Sequence, residues 1–197
     1  MVWNKGQIVG QKKALRLEEI WRIRTRLELE DRDKELTIFN LALDSKMRSC
    51  DLLKLKVRNV ASGMRILPRV MILQQKTRHE VHFELSPRTQ QTLYHWIFKR
   101  KLKPQDYLFS SNRNQGDHIS YTQYERMVKR WASDLGLDRT QYSTHSLRRT
   151  KASIIYAKTK NLRAIQLLLG YTKLESTIQY LGVELEDALR LSEQIET

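Results

Sequence analysis

A histidine and an arginine stand three residues apart in segment 144–150, which reads Thr-His-Ser-Leu-Arg-Arg-Thr. His145 precedes or opens a predicted helix, and Arg148 follows one turn later on the same face. An imidazole and a guanidinium beside a helix N-terminus can clamp an oxyanion or a phosphate, because both donate hydrogen bonds where the helix dipole is positive. The alternative for this segment alone is a surface histidine beside two solvated arginines.

A tyrosine that could act as a nucleophile lies downstream of this segment. A predicted helix over 161–169 ends at Gly170 as its C-cap, and Tyr171 follows directly. Tyr180 comes nine residues later, in polar surroundings. Its phenolic oxygen can form a covalent bond to phosphorus, and the alternative is a core aromatic residue.

Two further cationic residues lie upstream. Arg48 is followed three residues later by Asp51, at the start of a leucine-rich helix. Lys76 lies in a predicted turn between two strands. Arg48 is also spaced for a salt bridge to Asp51, and Lys76 is also consistent with an ordinary turn lysine.

Taken in order, these motifs resemble the tyrosine recombinase (lambda-type integrase) family over about residues 15 to 190. The resemblance implies a DNA-breaking site without metal or cofactor, built from six catalytic residues: Arg48, Lys76, His145, Arg148, Tyr171 and Tyr180. The two arginines would hold the phosphate oxygens, Lys76 would protonate the leaving 5′ oxygen, and Tyr180 would attack phosphorus. His145 would assist the proton transfer or bind the phosphate. Tyr171 stands where the family usually has histidine.

The resemblance also implies partners. Asp51 would orient its neighbours, and four basic residues are expected to contact DNA: Arg78, Arg149, Lys151 and Lys173. The expected partners are double-stranded DNA, further copies of the chain (a tetramer in the DNA synapse, with a monomer as the alternative in free solution) and an accessory DNA-bending or clamp protein. The expected product is a 3′-phosphotyrosyl bond that serves DNA integration or recombination of a mobile element. The alternative function is a catalytically impaired DNA-binding regulator.

The elements that must position these residues are mostly helical. Glycine and proline are scarce, with 7 and 3 residues, which favours long regular elements. We predict an α+β fold with one small three-stranded antiparallel sheet, from strands over 57–60, 69–74 and 80–85. The spacing of apolar residues predicts the helices, over 16–30, 33–44, 49–55, 87–101, 120–135, 146–158, 161–169, 174–181 and 184–195.

Composition narrows the class of protein. The chain has 197 residues and a formal net charge of +14, and residues 36–183 alone carry 26 Lys and Arg against 10 Asp and Glu. This excess favours a polyanionic partner. The single cysteine, Cys50, excludes an internal disulfide. The sequence has neither the P-loop of nucleotidases nor the Gly-x-Ser-x-Gly nucleophile elbow of hydrolases. It also has no apolar run long enough for a membrane span. We expect a cytoplasmic protein that is associated with the nucleoid when it binds DNA.

The chain is predicted to divide into three parts. Residues 1–14 are polar and form a flexible lead-in, residues 15–183 form the catalytic domain, and residues 184–197 form a C-terminal helix. That last helix is acidic with one apolar side, so it packs either on its own domain or on a neighbouring subunit. The clamping domain that usually precedes the family's catalytic domain is not expected here, as in the short recombinases that invert fimbrial promoter switches.

Overall fold

A computed structural model describes residues 11–111, 116–182 and 193. Helices occupy most of this chain, at bounds close to those predicted. They are α1 (Leu17–Leu29), α2 (Asp33–Ser45), α3 (Ser49–Leu53), α4 (Val57–Val60), α5 (Pro87–Lys99), α6 (Tyr121–Asp134), α7 (Thr144–Thr159), α8 (Leu162–Leu169) and α9 (Leu174–Leu181). The predicted helix over 184–195 and its packing lie outside the described residues, apart from residue 193.

The sheet differs from the predicted one. The hairpin is confirmed as β3 (Arg69–Leu73) paired antiparallel with β4 (Glu80–Glu84), but the third strand over 57–60 is wrong. Those residues form the short helix α4, in which the Asn59 side chain accepts from the Lys56 backbone N–H at 2.8 Å and the Val57 backbone N–H is held by the distant Asp106 carbonyl at 3.0 Å. A second two-residue hairpin follows, β1 (Ala61–Ser62) with β2 (Arg65–Ile66), closed through Gly63 at φ +57°.

Helix α2 forms the centre of the main core. Its Ile38, Phe39 and Leu41 are completely buried, and the helix packs against α1, α5 and α7. The Phe39 ring meets the Trp131 ring of α6 edge to face, with centroids 5.3 Å apart. Helix α2 therefore fixes the position of the loop that follows it, which contains Arg48.

A second, smaller core lies between α7, α8 and α9. It is built from Ala152, Ile165, Leu169 and Leu181. The rings of Tyr171 and Tyr180 pack against it. The two tyrosines are thus positioned by a separate apolar cluster, next to the helix that carries His145 and Arg148.

None of the helices within residues 11–111 and 116–182 combines the length and apolar character that crossing a bilayer requires.

Candidate active site

Arg148 lies at the centre of the site as a buried cation. Only 3% of its surface is exposed. Its Nη2 donates to the carbonyl oxygen of Leu169 at 3.0 Å, and its Nη1 is buried with no hydrogen-bond partner among the described residues. No carboxylate of the described chain lies within ion-pair distance of it. A desolvated guanidinium with an unused donor and no counter-ion is suited to bind an anionic ligand.

Two tyrosine rings flank this guanidinium. The ring centroids of Tyr171 and Tyr180 lie 5.6 and 6.0 Å from the Arg148 Cζ. The two rings meet edge to face, with centroids 5.7 Å apart. The Tyr180 hydroxyl is buried and makes no hydrogen bond of normal geometry to the described residues, although the Arg148 guanidinium interacts with it. Burial raises the pKa of Tyr180 well above its ordinary value, although the charge of Arg148 opposes this, so the phenol is neutral in the DNA-free protein.

The C-terminal end of α9, which carries Tyr180, is fixed by two side chains from elsewhere in the chain. Gln11 Nε2 donates to the Tyr180 carbonyl at 2.6 Å and to that of Gln179 at 3.1 Å. Arg149 Nη2 donates to the Leu181 carbonyl at 2.8 Å. The last carbonyls of a helix lack partners within the helix, so these bonds satisfy them and hold the tyrosine helix in place. Residue 11 belongs to the predicted lead-in, whose described part is thus held by the domain.

Arg149, which is predicted to contact DNA, makes its hydrogen bonds in this structure to protein carbonyls. Its Nη1 donates to the Lys12 carbonyl at 3.2 Å, and its Nε is buried without a hydrogen-bond partner among the described residues. Burial lowers its pKa. The guanidinium bridges residue 12 and the end of α9.

Gln74 connects the two arginines of the site. Its Oε1 accepts from Arg48 Nη1 at 2.6 Å and from the Thr77 hydroxyl at 2.7 Å. Its Nε2 donates weakly, at 3.4 Å, to the same Leu169 carbonyl that Arg148 contacts. Gln74 is 1% exposed. The sequence prediction missed Gln74. Val70 and Ile72 alternate along β3, so the same buried face includes position 74, where the residue is polar. A polar side chain on a buried face needs hydrogen-bond partners, and this pattern could have identified Gln74.

Asp51 holds the turn that carries Lys76. The Asp51 carboxylate, which is buried, accepts from the Gln75 backbone N–H at 2.9 Å. It makes no salt bridge with Arg48 in the described chain. The orienting role of Asp51 stays a prediction, and its contact with the Gln75 backbone is the one through which it would act. Lys76 itself is exposed at the tip of the β3–β4 turn. Its ammonium has no ion-pair partner among the described residues and is free to reach a ligand.

Helix α7 begins at Thr144, two positions earlier than predicted, so His145 lies in its first turn. The Ser143 side chain caps the helix by accepting from the His145 backbone N–H at 3.2 Å. Desolvation by the surrounding protein, together with the charges of Arg148 and Arg48, lowers the pKa of His145. The imidazole is therefore neutral near pH 7 and can accept a proton.

The other predicted DNA contacts occupy different positions. Arg78 and Lys173 are exposed, Arg78 at φ +54° in the hairpin turn and Lys173 as the N-cap of α9. Lys151 instead forms ion pairs with Asp44 and Glu84 at 2.7 and 2.6 Å. Arg78 and Lys173 are thus available to a ligand, whereas Lys151 is occupied by protein carboxylates.

The backbone at Gly170 is also part of this arrangement. Gly170 ends α8 at φ +69°, and a Cβ placed there would lie 2.7 Å from Val81 Cγ2 and 3.3 Å from Gln74 Nε2. Only glycine tolerates both the left-handed conformation and this close approach. The contact brings the Leu169 carbonyl, and with it Arg148, against the hairpin that carries Lys76.

The assembled groups can bind a tetrahedral anion and move protons around it. Arg48 and Arg148 supply positive charge, His145 is a neutral base, and Tyr180 is a protonated phenol beside Arg148. Such a set is suited to nucleophilic attack on a phosphodiester, with stabilisation of the developing charge by the guanidinium groups.

This chain is similar to known proteins of one family. The model of the phage integrase family matches residues 13–186. A probable integrase/recombinase of Bacillus subtilis, YoeC, is 26% identical over 179 residues, which cover 91% of this chain and 93% of that protein. The tyrosine recombinase XerC of Actinobacillus pleuropneumoniae is 24% identical over 181 residues, which cover 91% of this chain and 57% of that protein. The chain thus spans little more than half of XerC.

Solved structures show the same fold. The XerH site-specific recombinase bound to palindromic difH substrate, in a post-cleavage complex, superposes with a TM-score of 0.73 and 20% identity, over 92% of this chain and 53% of that one. The Tn1549 transposon integrase with a circular intermediate DNA gives a TM-score of 0.73 at 14% identity, over 97% and 68% of the two chains. At these identities the likeness supports the fold alone.

Proposed function

The chain belongs to the phage integrase family, and we propose on this premise that it is a site-specific tyrosine recombinase. In this proposal it cuts and rejoins double-stranded DNA through a 3′-phosphotyrosyl intermediate, without metal or ATP. The DNA-bound recombinases among its structural neighbours support double-stranded DNA as the substrate.

The observation that carries the proposal is the pair of unsatisfied groups at Arg148 and Tyr180. A buried guanidinium without a carboxylate costs free energy unless an anion binds. The unpartnered Nη1 of Arg148 and the unpartnered hydroxyl of Tyr180 lie in the same small cluster. A DNA phosphate that accepted from Arg148 would satisfy the first group and face the second. Both groups come from one chain, so the proposed site needs neither of them from a second copy.

In the proposed cleavage step, the Tyr180 oxygen replaces the 5′ oxygen on phosphorus. The Tyr180 oxygen attacks phosphorus, and the phenolic proton passes to His145, which is neutral near pH 7. The bond from phosphorus to the 5′ oxygen breaks, and the leaving oxygen takes a proton from Lys76 on the exposed turn. Arg48 and Arg148 stabilise the extra negative charge in the transition state, and Tyr171 donates an additional hydrogen bond. The new ester retains the free energy of the broken bond, so rejoining needs no ATP.

Further parts of the proposal concern partners and place of action. Arg78 and Lys173 contact the DNA backbone, and four copies of the chain assemble on two DNA duplexes in the synapse. An accessory protein supplies the DNA clamp, and the recombinase acts in the bacterial cytoplasm. The excess of basic residues between 36 and 183 supports the DNA contact.

The test is formation of a covalent adduct. Nicked suicide duplexes made from inverted repeats that flank the gene would be incubated with the protein in EDTA, and adducts would be counted on denaturing gels. We expect adduct with the wild type and none with Tyr180→Phe. Tyr171→Phe is the matched control, because it removes one hydroxyl from the neighbouring ring and leaves the nucleophile in place, so adduct should persist.

Two outcomes would contradict the proposal in different ways. Adduct from Tyr180→Phe, lost instead in Tyr171→Phe, would make Tyr171 the nucleophile. A wild type that binds the duplex with the steep salt dependence of phosphate contacts, yet never forms adduct, would favour the DNA-binding regulator.

A further inference from the structure

Two lysines and two carboxylates form a partly buried cluster near the candidate active site, outside the six catalytic residues. The Lys46 side chain is completely buried, and its Nζ donates to the Asp44 carbonyl at 2.5 Å. The same Nζ lies 3.8 Å from Glu84 Oε1. Lys151 Nζ bridges the Asp44 and Glu84 carboxylates at 2.7 and 2.6 Å. We call these four residues the ion cluster.

The charges around the Lys46 ammonium come from three elements. Asp44 belongs to α2, Glu84 ends β4 and Lys151 lies in α7; these are the three charged groups that act on it most strongly. From α5, the Ser86 backbone N–H donates to Asp44 Oδ2 at 2.8 Å. On the outer side, Arg24 of α1 interacts with Asp44, and Arg69 of β3 is paired in register with Glu84.

The ion cluster joins the same elements that carry the catalytic residues. Lys46 precedes Arg48 by two positions. Glu84 ends the strand whose hairpin turn carries Lys76. Lys151 lies one helical turn after Arg148 in α7, which also carries His145. A displacement of any one element relative to the others therefore breaks a contact of the ion cluster.

Lys46 occupies this position at a cost. Its φ of +54° lies in the left-handed region, which residues other than glycine rarely adopt. Its ammonium is also removed from water, which is unfavourable unless opposite charges and acceptors compensate. Buried ion pairs contribute little to stability relative to apolar residues of similar size, and their best attested use is to fix one geometry. The ion cluster is therefore better explained by geometry than by stability.

We propose that Lys46 is a positioning residue for strand cleavage. Its buried ammonium, together with Asp44, Glu84 and Lys151, holds the Arg48 loop, the Lys76 hairpin and α7 in the arrangement that cleaves DNA. Lys46 touches neither DNA nor the reacting atoms. This inference rests on the proposed recombinase function.

The protonation state of Lys46 makes the proposal measurable. Burial lowers the pKa of Lys46 to about 8, against partial compensation by Glu84 and Asp44. Above pH 8 the amine becomes neutral while it stays buried, so the attraction between Lys46 and Glu84 that orients the Arg48 loop is lost. The free energy of unfolding changes in the direction opposite to cleavage. Between pH 8 and about 10.5 the unfolded chain still holds the proton that the folded protein has lost, so this group makes the folded protein more stable as the pH rises.

The test is the pH profile of single-turnover adduct formation for wild type, Lys46→Met and Lys46→Arg. The protonated fraction falls about tenfold per pH unit above the pKa, so wild-type cleavage should fall about tenfold between pH 7 and pH 9. Lys46→Met should cleave more slowly at pH 7, with a flat profile up to pH 9. Lys46→Arg should keep its cleavage rate to pH 9, because a guanidinium stays charged.

The matched control is Lys158→Met, a change of an exposed lysine in the last turn of α7, which should keep the wild-type profile. Amide hydrogen exchange of residues 44–48 provides a readout independent of cleavage. Protection of these amides at pH 7 should be lower in Lys46→Met than in the wild type, because the variant lacks the contacts of the buried ammonium. If Lys46→Arg does not fold, the Lys46→Met profile and the exchange data decide the question.

The outcomes separate this proposal from the function on which it rests. A Lys46→Met variant that keeps a tenfold fall between pH 7 and pH 9 overturns the positioning role, since another group then titrates. Equal cleavage by Lys46→Met and wild type at pH 7 overturns it as well. If the wild type forms no adduct at any pH, the recombinase function fails, and the exchange data alone then support or overturn the role of Lys46 in holding the loop.

Discussion

Replacing Gln74 by leucine should reduce DNA cleavage while leaving the fold intact. Gln74 Oε1 is the acceptor that orients the Arg48 guanidinium, at 2.6 Å. Leucine has a similar volume and suits the buried face that position 74 shares with Val70 and Ile72. The variant therefore removes the hydrogen bonds of one side chain and keeps its packing.

The size of the effect follows from the bond that is lost. A hydrogen bond to a charged group contributes about 1.5–3 kcal/mol, and each 1.36 kcal/mol in activation free energy changes a rate tenfold. If Arg48 loses its orientation in the transition state, cleavage should slow by about 10- to 150-fold. Stability should change by only about 1 kcal/mol, because Arg48 and Thr77 are half-exposed and water can replace the lost acceptor.

The assay is single-turnover adduct formation on a suicide duplex, with urea unfolding of the same samples. Gln91→Leu is the matched control: it makes the same change at an exposed glutamine of α5, outside the candidate site, and should cleave within about threefold of wild type. The reasoning is refuted if Gln74→Leu cleaves as fast as the control, or if its loss of cleavage is accompanied by a comparable loss of folding.

Three further predictions concern stability. Tyr180→Phe should raise the free energy of unfolding of the DNA-free protein by about 1 kcal/mol in urea titrations, because it removes a buried hydroxyl without a partner; a destabilised variant would show that the hydroxyl is satisfied. Gly170→Ala should lower it by about 2–4 kcal/mol, through the contact with Val81 and the left-handed conformation, and an unchanged melting temperature would contradict this. The lowered pKa of His145 means that the unfolded chain binds a proton first, so stability should fall as pH drops below about 6.5. Between pH 7 and pH 5 the free energy of unfolding of His145→Gln should fall less steeply than that of the wild type. Identical slopes would show that His145 does not cause the pH dependence.

Much of the fold could be predicted from local sequence. The N-cap Ser86 followed by Pro87, and the positive-φ Gly170 and Gly182, are local signals that depend on few distant contacts. The prediction of a strand over 57–60 was wrong because a contact with a distant part of the chain acts there. Two β-branched valines favour a strand, but the Val57 backbone N–H donates to the Asp106 carbonyl, and this distant contact decides the conformation.

The candidate site also combines residues that local sequence reveals with residues that only the tertiary structure reveals. The residues that act on a ligand form motifs with fixed spacing, and the structure brings Arg148, Tyr171 and Tyr180 together, with Arg48 joined to Arg148 through Gln74. The residues that hold them in place belong to no local motif. Lys151 illustrates this: its charge suggests DNA, but Asp44 and Glu84 lie 107 and 67 residues away in the chain. Such pairings depend on tertiary structure, so spacing alone does not reveal them.

The bonds from Gln11 and Arg149 to the end of α9 have a mechanical consequence. The Gln11 side chain and the Tyr180 carbonyl are 169 positions apart in sequence, so their hydrogen bond closes nearly the whole described chain into a loop. Residue 11 therefore supports the helix of the proposed nucleophile from outside every motif that the sequence displays. A substitution of Gln11 is expected to disturb the end of α9 even though residue 11 lies far from Arg48 and Arg148 in the chain.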